Sequence, residues 1–401
     1  MIEKVGDPNS ESIPLNFDNT EIAFRRKSDK ELDDAYKLFK LINNKLLATI
    51  GPALTAFALR LGLPVTGLIK NTLFKQFCGG ESIDDCESVI SSLSDGRVGT
   101  ILDYSVEGVQ EEANYSSTTA EIIRTIQKAG SDDRVSLSVF KISGIARVEL
   151  LAKVSAGQNL DASEQAEYFK VKGRVNNICK TAYDLEVPVM IDAEESWVQN
   201  AIDTLALEMM QLYNLEQVIV YNTYQLYLTN GLVTLKDHYL QAETYGFLLG
   251  AKLVRGAYLE KEQNRALALE YTSPVHSSKE ATDQDYNIAL KFCVQHIKYI
   301  GLVAGTHNEE SCRILTELLK DASIPINHPH VYFSQLLGMS DNLSFNLAAA
   351  GYNTAKYVPY GPVKAVLPYL FRRADENTAI SGQMSRELSL IIKERERRKA
   401  L

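Results

Sequence analysis

The chain has 401 residues, 45% of them hydrophobic and 23% charged, the balance of an ordinary soluble globular protein. Its 42 Lys and Arg against 51 Asp and Glu leave a net charge of −9, which argues against a nucleic-acid partner, since such proteins carry a basic footprint. Five cysteines with no C-x-x-C pair argue against a disulfide scaffold and a structural zinc site, and fit a reducing compartment.

Residues 1–28 are polar, rich in Asn and Ser, and carry Pro8 and Pro14, so a disordered or extended segment is expected. The mixed charges of Glu3, Lys4, Asp7 and Glu11 suit neither a secretory signal nor a transit peptide. Leu32, Tyr36, Phe39 and Asn43 then repeat at helical spacing, and a helical arm is expected over 29–97. Between Leu46 and Ile69 only Arg60 is charged, but Gly51-Pro52 and Gly62-Leu63-Pro64 interrupt the run. Short buried helices are the first reading of that stretch and a membrane-docking element the second.

From residue 98 to 401 the pattern changes to apolar β-rich runs alternating with helical stretches. Strands are expected at 100–104, 137–142, 187–192, 217–222, 251–255, 302–306, 330–334 and 354–358. Strand and helix in repeated alternation imply parallel pairing with crossover helices, and eight units suit a closed (β/α)₈ TIM barrel. An open doubly wound sheet is the runner-up. It would usually show a Gly-rich phosphate turn after its first strand, where this chain has Asp103-Tyr104-Ser105-Val106-Glu107.

Barrel chemistry gathers at the C-terminal strand ends. Those ends carry Asp103 and Glu107, Lys141, Asp192, Asn222, Lys252 with Arg255, Thr306 with His307, Ser334 with Gln335, and Tyr357 with Tyr360. His307 is the only histidine at a strand end and no H-E-x-x-H occurs, so no metal site is expected. Lys141 or Lys252 could form a Schiff base as in aldolases, although a salt bridge or phosphate contact is the commoner use. Near the C-terminus, Tyr369-Leu370-Phe371-Arg372-Arg373-Ala374-Asp375-Glu376-Asn377 places two arginines one helical turn from a tyrosine and a glutamate. Two guanidinium forks beside an aromatic hydroxyl suit a planar carboxylate, while a solvated basic helix end is the plain alternative. The anion-binding cations together suit a phosphate-bearing cofactor with a small carboxylate.

With Leu102-Asp103-Tyr104-Ser105-Val106-Glu107, Lys141-Ile142-Ser143-Gly144, Ile191-Asp192-Ala193-Glu194-Glu195, Tyr221-Asn222-Thr223-Tyr224-Gln225, Ala251-Lys252-Leu253-Val254-Arg255-Gly256-Ala257-Tyr258, Thr306-His307-Asn308 and Gln335-Leu336-Leu337-Gly338-Met339, and with the arginine pair closing the series, the chain resembles the proline dehydrogenases, in their eukaryotic, fungal-like form. The resemblance runs from about Gly99 to Arg398. It implies a distorted barrel with non-covalent FAD over the strand ends and a last helix across the mouth carrying Arg372 and Arg373. By that analogy the two arginines and Lys141 hold the carboxylate of L-proline, and Glu107 orients Arg372. Tyr357, Tyr369, Tyr258 and Leu336 wall the substrate ring. Asp192 and Asn222 lie near the isoalloxazine, His307 near the FAD phosphates and Glu376 near the adenosine, with Gly256, Ala257 and Thr306 also on the cofactor. Where bacterial members place an arginine at flavin N5, this chain has Lys252, with Arg255 three residues on, and which of them acts there is open.

The implied reaction is hydride transfer from proline C5 to flavin N5, giving Δ1-pyrroline-5-carboxylate, the first step of proline degradation. Electrons would pass to a quinone, with peripheral association at the matrix side of the inner mitochondrial membrane. No base for the ring amine emerges from the residues. A lysine Schiff-base aldolase and a non-catalytic membrane-associated binding protein are the alternatives. Pro368 is expected to kink the last helix or mark its start.

Overall fold

The computed structural model describes residues 14–42, 66–106, 112–370 and 383–401. Eight parallel strands close a barrel in chain order: β1 (Gly99–Tyr104), β2 (Val135–Phe140), β3 (Val189–Ile191), β4 (Val220–Gln225), β5 (Leu249–Val254), β6 (Ile300–Gly305), β7 (Val331–Leu336) and β8 (Thr354–Tyr360). β8 returns to β1 in register, with Tyr357 opposite Ile101 and Pro359 opposite Asp103. All eight expected strands are present. β4 begins three residues later than expected, and that shift moves its C-terminal end from Asn222 to Gln225.

Both faces of each strand are covered, which is why the strands read as continuous apolar runs. Ile101, Leu137, Val139, Met190, Tyr221, Val303, Ala355 and Tyr357 fill the inside. The alternate residues face the helices, where Phe140, Val189, Val220, Leu249, Leu302 and Val358 belong to the large outer core. Among the described residues, the α-helices include, in order, α1 (Thr20–Phe24), α2 (Asp29–Ile42), α3 (Thr66–Ile69), α4 (Lys75–Phe77), α5 (Glu87–Ser94), α6 (Glu112–Ser131), α7 (Val148–Ser155), α8 (Ala162–Asp184), α9 (Ser196–Tyr213), α10 (Gly231–Tyr245), α11 (Leu259–Ala268), α12 (Lys279–Gln295), α13 (Glu309–Asp321), α14 (Asp341–Ala349) and α15 (Gln383–Lys399). Local signals set their ends. Asp161 and Glu164 close a capping box on α8, Ser278 caps α12, and Asn308 caps α13. Gly246, at φ 75°, ends α10 in the left-handed conformation.

The arm divides. α5 and the turn before it, through Ile83, Cys86, Ile90 and Leu93, join the barrel's outer core. α1, α2 and residues 69–78 instead share a second core with Met339, Val363, Val366, Leu367, Tyr369, Leu370, Leu390 and Ile391. The expectation of a disordered or extended 1–28 is corrected over its described part. Asn19 Oδ1 accepts from the Ile22 N–H to start α1, and Phe24 is buried. Asn342 and Asn346 on α14 donate to the carbonyls of Phe17 and Asn19 and hold this segment on the barrel. Gly80 forms an isolated parallel bridge to Tyr360 beside the end of β8. Residues 367–370 are helical, so Pro368 sits in a first helical turn, where its missing N–H costs nothing. Most of the 46–69 stretch lies outside the described residues.

Candidate active site

A cavity of about 620 Å³ opens over the C-terminal ends of the strands, within the size range of small-molecule sites. Its floor is built by strand alternation. Asp103, Lys252 and Tyr357 point inward from β1, β5 and β8, while Lys141 and Asp192 follow immediately after β2 and β3. Asp192 is the hub. It accepts from Lys141 Nζ at 2.8 Å, Lys252 Nζ at 2.5 Å and the Tyr357 hydroxyl at 2.6 Å. Lys252 also lies 3.1 Å from that hydroxyl and 4.6 Å from the Tyr357 ring centre. Ser105 Oγ donates to Asp103 at 2.5 Å, and Lys141 Nζ stands 3.8 Å from the same carboxylate.

Asp103, Asp192 and Lys252 are almost wholly buried, where a charge is costly unless it is paired. Burial alone would raise the Asp192 pKa, but Lys141 and Lys252 carry it well below the carboxylate range. Burial works against the Lys141 ammonium, yet Asp103 and Asp192 hold its pKa well above the usual lysine value. A Schiff-base lysine needs a neutral amine, and this arrangement opposes one. Asp103 goes the other way: burial pushes its pKa up, Asp192 adds to the rise, and Lys141 only partly offsets it.

Neighbouring loops fix these groups. Glu194 accepts from the Ser143 N–H at 2.9 Å, joining the turn that carries Lys141 to the loop that carries Asp192. Gln225 Nε2 donates to the Glu194 carbonyl at 2.7 Å. On the rim, Gly256 has φ 132°, and a Cβ there would stand 2.3 Å from the Tyr227 ring, so this turn requires glycine. Ala257, Tyr258, Thr306, His307, Leu336 and Tyr369 complete the wall. His307 Nδ1 shares a hydrogen bond with Ser340 Oγ at 2.9 Å. The Ser340 N–H donates to the buried Glu387 carboxylate on α15, whose pKa burial pushes up to about 7.

Thus Lys141, Asp192, Lys252, Arg255, Gly256, Ala257, Tyr258, Thr306, His307, Leu336, Tyr357 and Tyr369 all line one cavity. Asn222 does not. Its Nδ2 donates to Asp203 on α9 at 2.8 Å, behind the barrel wall. Gln225 takes the strand-end position instead, and Thr223 lines the cavity two residues before it. Alternation through Tyr221, Thr223 and Gln225 is the signal that would have found them. Glu387 was missed too, and nothing local marks it. Arg255 reaches the wall, but its guanidinium is committed to Asp283, Thr306 and Ser311 and lies 4.4 Å over the Tyr286 ring. Of Lys252 and Arg255, Lys252 is therefore the one whose charge faces the barrel interior. Glu107, Arg372, Arg373 and Glu376 lie outside the described residues.

The donor set fits a flat, anionic cofactor. Lys252 and Gln225 offer donors from the floor. The N-terminus of α13, capped by Asn308 and flanked by Thr306 and His307, offers an anion-favouring edge. The glycine turn lets backbone approach closely.

The family description "Proline dehydrogenase" matches residues 86–386. Over 99% of its length the chain is 33% identical to proline dehydrogenase 1, mitochondrial, of Dictyostelium discoideum, spanning 77% of that protein. It is 32% identical to the protein of the same name from Arabidopsis thaliana, over 83% of this chain and 76% of the relative. Among solved structures, it resembles proline utilization A from Bdellovibrio bacteriovorus inactivated by N-propargylglycine, with a TM-score of 0.70 and 18% identity. That likeness concerns the fold. It covers 90% of this chain but 38% of the longer one.

Proposed function

The chain belongs to the proline dehydrogenase family and is an oxidoreductase of proline catabolism, and from that premise we propose that it binds FAD non-covalently in the strand-end cavity and oxidises L-proline there to Δ1-pyrroline-5-carboxylate. The observation that carries this reading is the convergence of Lys141, Lys252 and Tyr357 on the ionised Asp192. It gives a rigid, charged floor on which a planar group and a small zwitterion can be stacked.

When bound, FAD would supply the two-electron acceptor, at flavin N5, for the hydride that leaves C5 of the ring. Lys252 is the residue assigned to N5, because Arg255 is already held by Asp283, Thr306 and Ser311. A buried cation there favours negative charge developing on the acceptor. Asp192 pairs with Lys252 and aims it. Gln225 and Thr223 face the same group from β4, replacing Asn222 in that role. His307, Thr306, Gly256 and Ala257 hold the phosphate-bearing half, with Glu376 towards the adenosine. Lys141, Arg372 and Arg373 hold the substrate carboxylate, and Glu107 orients Arg372. Tyr258, Leu336, Tyr357 and Tyr369 enclose the ring and exclude water.

Electrons leave to a quinone acceptor. No helix among the described residues is long and apolar enough to cross a membrane. Contact with the inner mitochondrial membrane, on its matrix side, would on this reading be peripheral. The purified protein is expected to be yellow and to bleach anaerobically with L-proline. Arg372→Met and Arg373→Met are expected to keep the colour while raising KM for proline roughly ten- to a hundredfold, the loss of a charge-assisted bond. A folded, colourless protein that FAD does not reconstitute would overturn the reading.

A further inference from the structure

Oxidation of the ring requires more than a hydride acceptor. At neutral pH the substrate nitrogen is a secondary ammonium, and one of its protons must leave before C5 can give up a hydride. The described floor offers two carboxylates, and their surroundings differ. Asp192 is held by two ammonium groups and a phenol, so its charge is fixed. Asp103 has one hydroxyl donor, Ser105 Oγ, and one ammonium, Lys141, at 3.8 Å.

We propose that Asp103 takes up the substrate's ammonium proton, relayed by the Lys141 ammonium that stands between it and Asp192. This rests on the reading of the site as a proline-oxidising one. The balance is simple. The ring ammonium gives one proton to the Lys141 amine as Lys141 gives one to the Asp103 carboxylate. The products are a neutral ring amine, an unchanged Lys141 and a neutral Asp103 carboxyl. The amine nitrogen's lone pair then assists departure of the hydride from C5, and the ring leaves as the protonated imine.

Two titratable groups of one type, pushed apart by their environments, divide the acid–base work between them. Asp103 is only 2% exposed, and burial raises its proton affinity above that of Asp192, so of the two floor carboxylates it is the readier proton acceptor. The groups that face it act in both directions. Lys141 and Lys252 favour its charge, while Asp192 opposes it. The Tyr357 hydroxyl and the buried Cys78 thiol face it from β8 and from the arm, and both stay neutral: their own pKa values are raised. Among the described residues no other floor group serves. Asp192 is saturated with donors, and the Tyr357 hydroxyl already donates to it.

The test is stopped-flow reduction of the holoenzyme flavin by L-proline across pH. If the parent flavin is never reduced, the functional reading fails and not this assignment alone. If it is reduced, Asp103→Asn is expected to keep flavin and to slow reduction about 100-fold near neutrality, the lower end of general-base contributions. The rate should recover as pH rises and the amine is delivered already neutral. An Asp103→Asn enzyme with the parental rate and pH limb overturns the proposal. Should that variant fail to fold, infrared difference spectra of the parent holoenzyme decide. A protonated-carboxyl band on proline binding supports the assignment, and its absence overturns it.

Discussion

The barrel floor and the clasp between the two ends of the chain both rely on charge, in opposite ways. On the floor, Asp103 and Lys252 sit on β1 and β5, Lys141 and Asp192 directly after β2 and β3, and all but the partly exposed Lys141 are removed from water. Each is kept charged or neutral by the others. In the clasp, α15 meets the arm through largely exposed pairs. Arg386 binds Asp18, Arg395 binds Asp33 and lies 4.1 Å over the Tyr36 ring, and Arg398 binds Asp29 together with the carbonyls of Phe24 and Lys27. Buried pairs are dear to break and slow to rearrange, whereas exposed ones are screened and individually weak. Chemistry is thus placed where the field is strong, and adjustable attachment where it is weak.

The sharpest way to break the contrast is Asp192→Ala, which strands two ammonium groups in the floor. A loss of about 3–5 kcal/mol in unfolding free energy is expected, with loss of bound flavin. Thermal and denaturant unfolding would read it. Adding Lys252→Met should return part of the stability and none of the activity, because the loss comes from an unpaired charge rather than from missing volume. Gly256→Ala comes next. Its forced φ and the clash with Tyr227 should cost about 1–3 kcal/mol and weaken flavin retention more than proline binding. A variant with parental flavin affinity would show that the turn is not part of the cofactor wall.

Glu387 joins the two regions, since α15 presents it to the cavity loop. Burial raises its pKa to about 7, with Asp341 adding to the rise and Lys356 and Lys27 opposing it. An acid with a raised folded pKa binds protons better folded than unfolded. Its contribution to stability therefore falls as pH rises from near 4.5 to about 7, and is flat above that. Melting curves of Glu387→Gln are expected to lose this component of the slope, and parental slopes would remove Glu387 as its source. Arg395→Ala is the smallest expected effect, at most about 1 kcal/mol and less at high salt. A cost of several kcal/mol would mean that the clasp behaves like the floor.

The strand inventory was legible because strands buried on both faces appear as apolar runs between polar ends. Strand boundaries were harder. Gln217 to Asn222 is a good β run by local propensity, yet β4 starts at Val220 because pairing to Val189 and Ala251 sets its register. That non-local constraint is why Asn222 took the place of Gln225 in the sequence reading. Lys141, Asp192 and Lys252 were legible as strand-end polar residues, but their convergence on one carboxylate was not, since no spacing encodes contact across the barrel. Arg395 and Asp33 are 362 positions apart, beyond any periodicity.

The shared core of α1, α2, residues 363–370 and α15 has a practical consequence for anyone handling the protein. Cropping α15 would uncover Phe24, Leu32 and Phe39 and leave Leu367 and Leu370 without Leu390 and Ile391. Fusions and protease-trimmed fragments should therefore be judged by substrate affinity as well as solubility, because a cut at one terminus is felt by the opposite one and by the segment roofing the barrel.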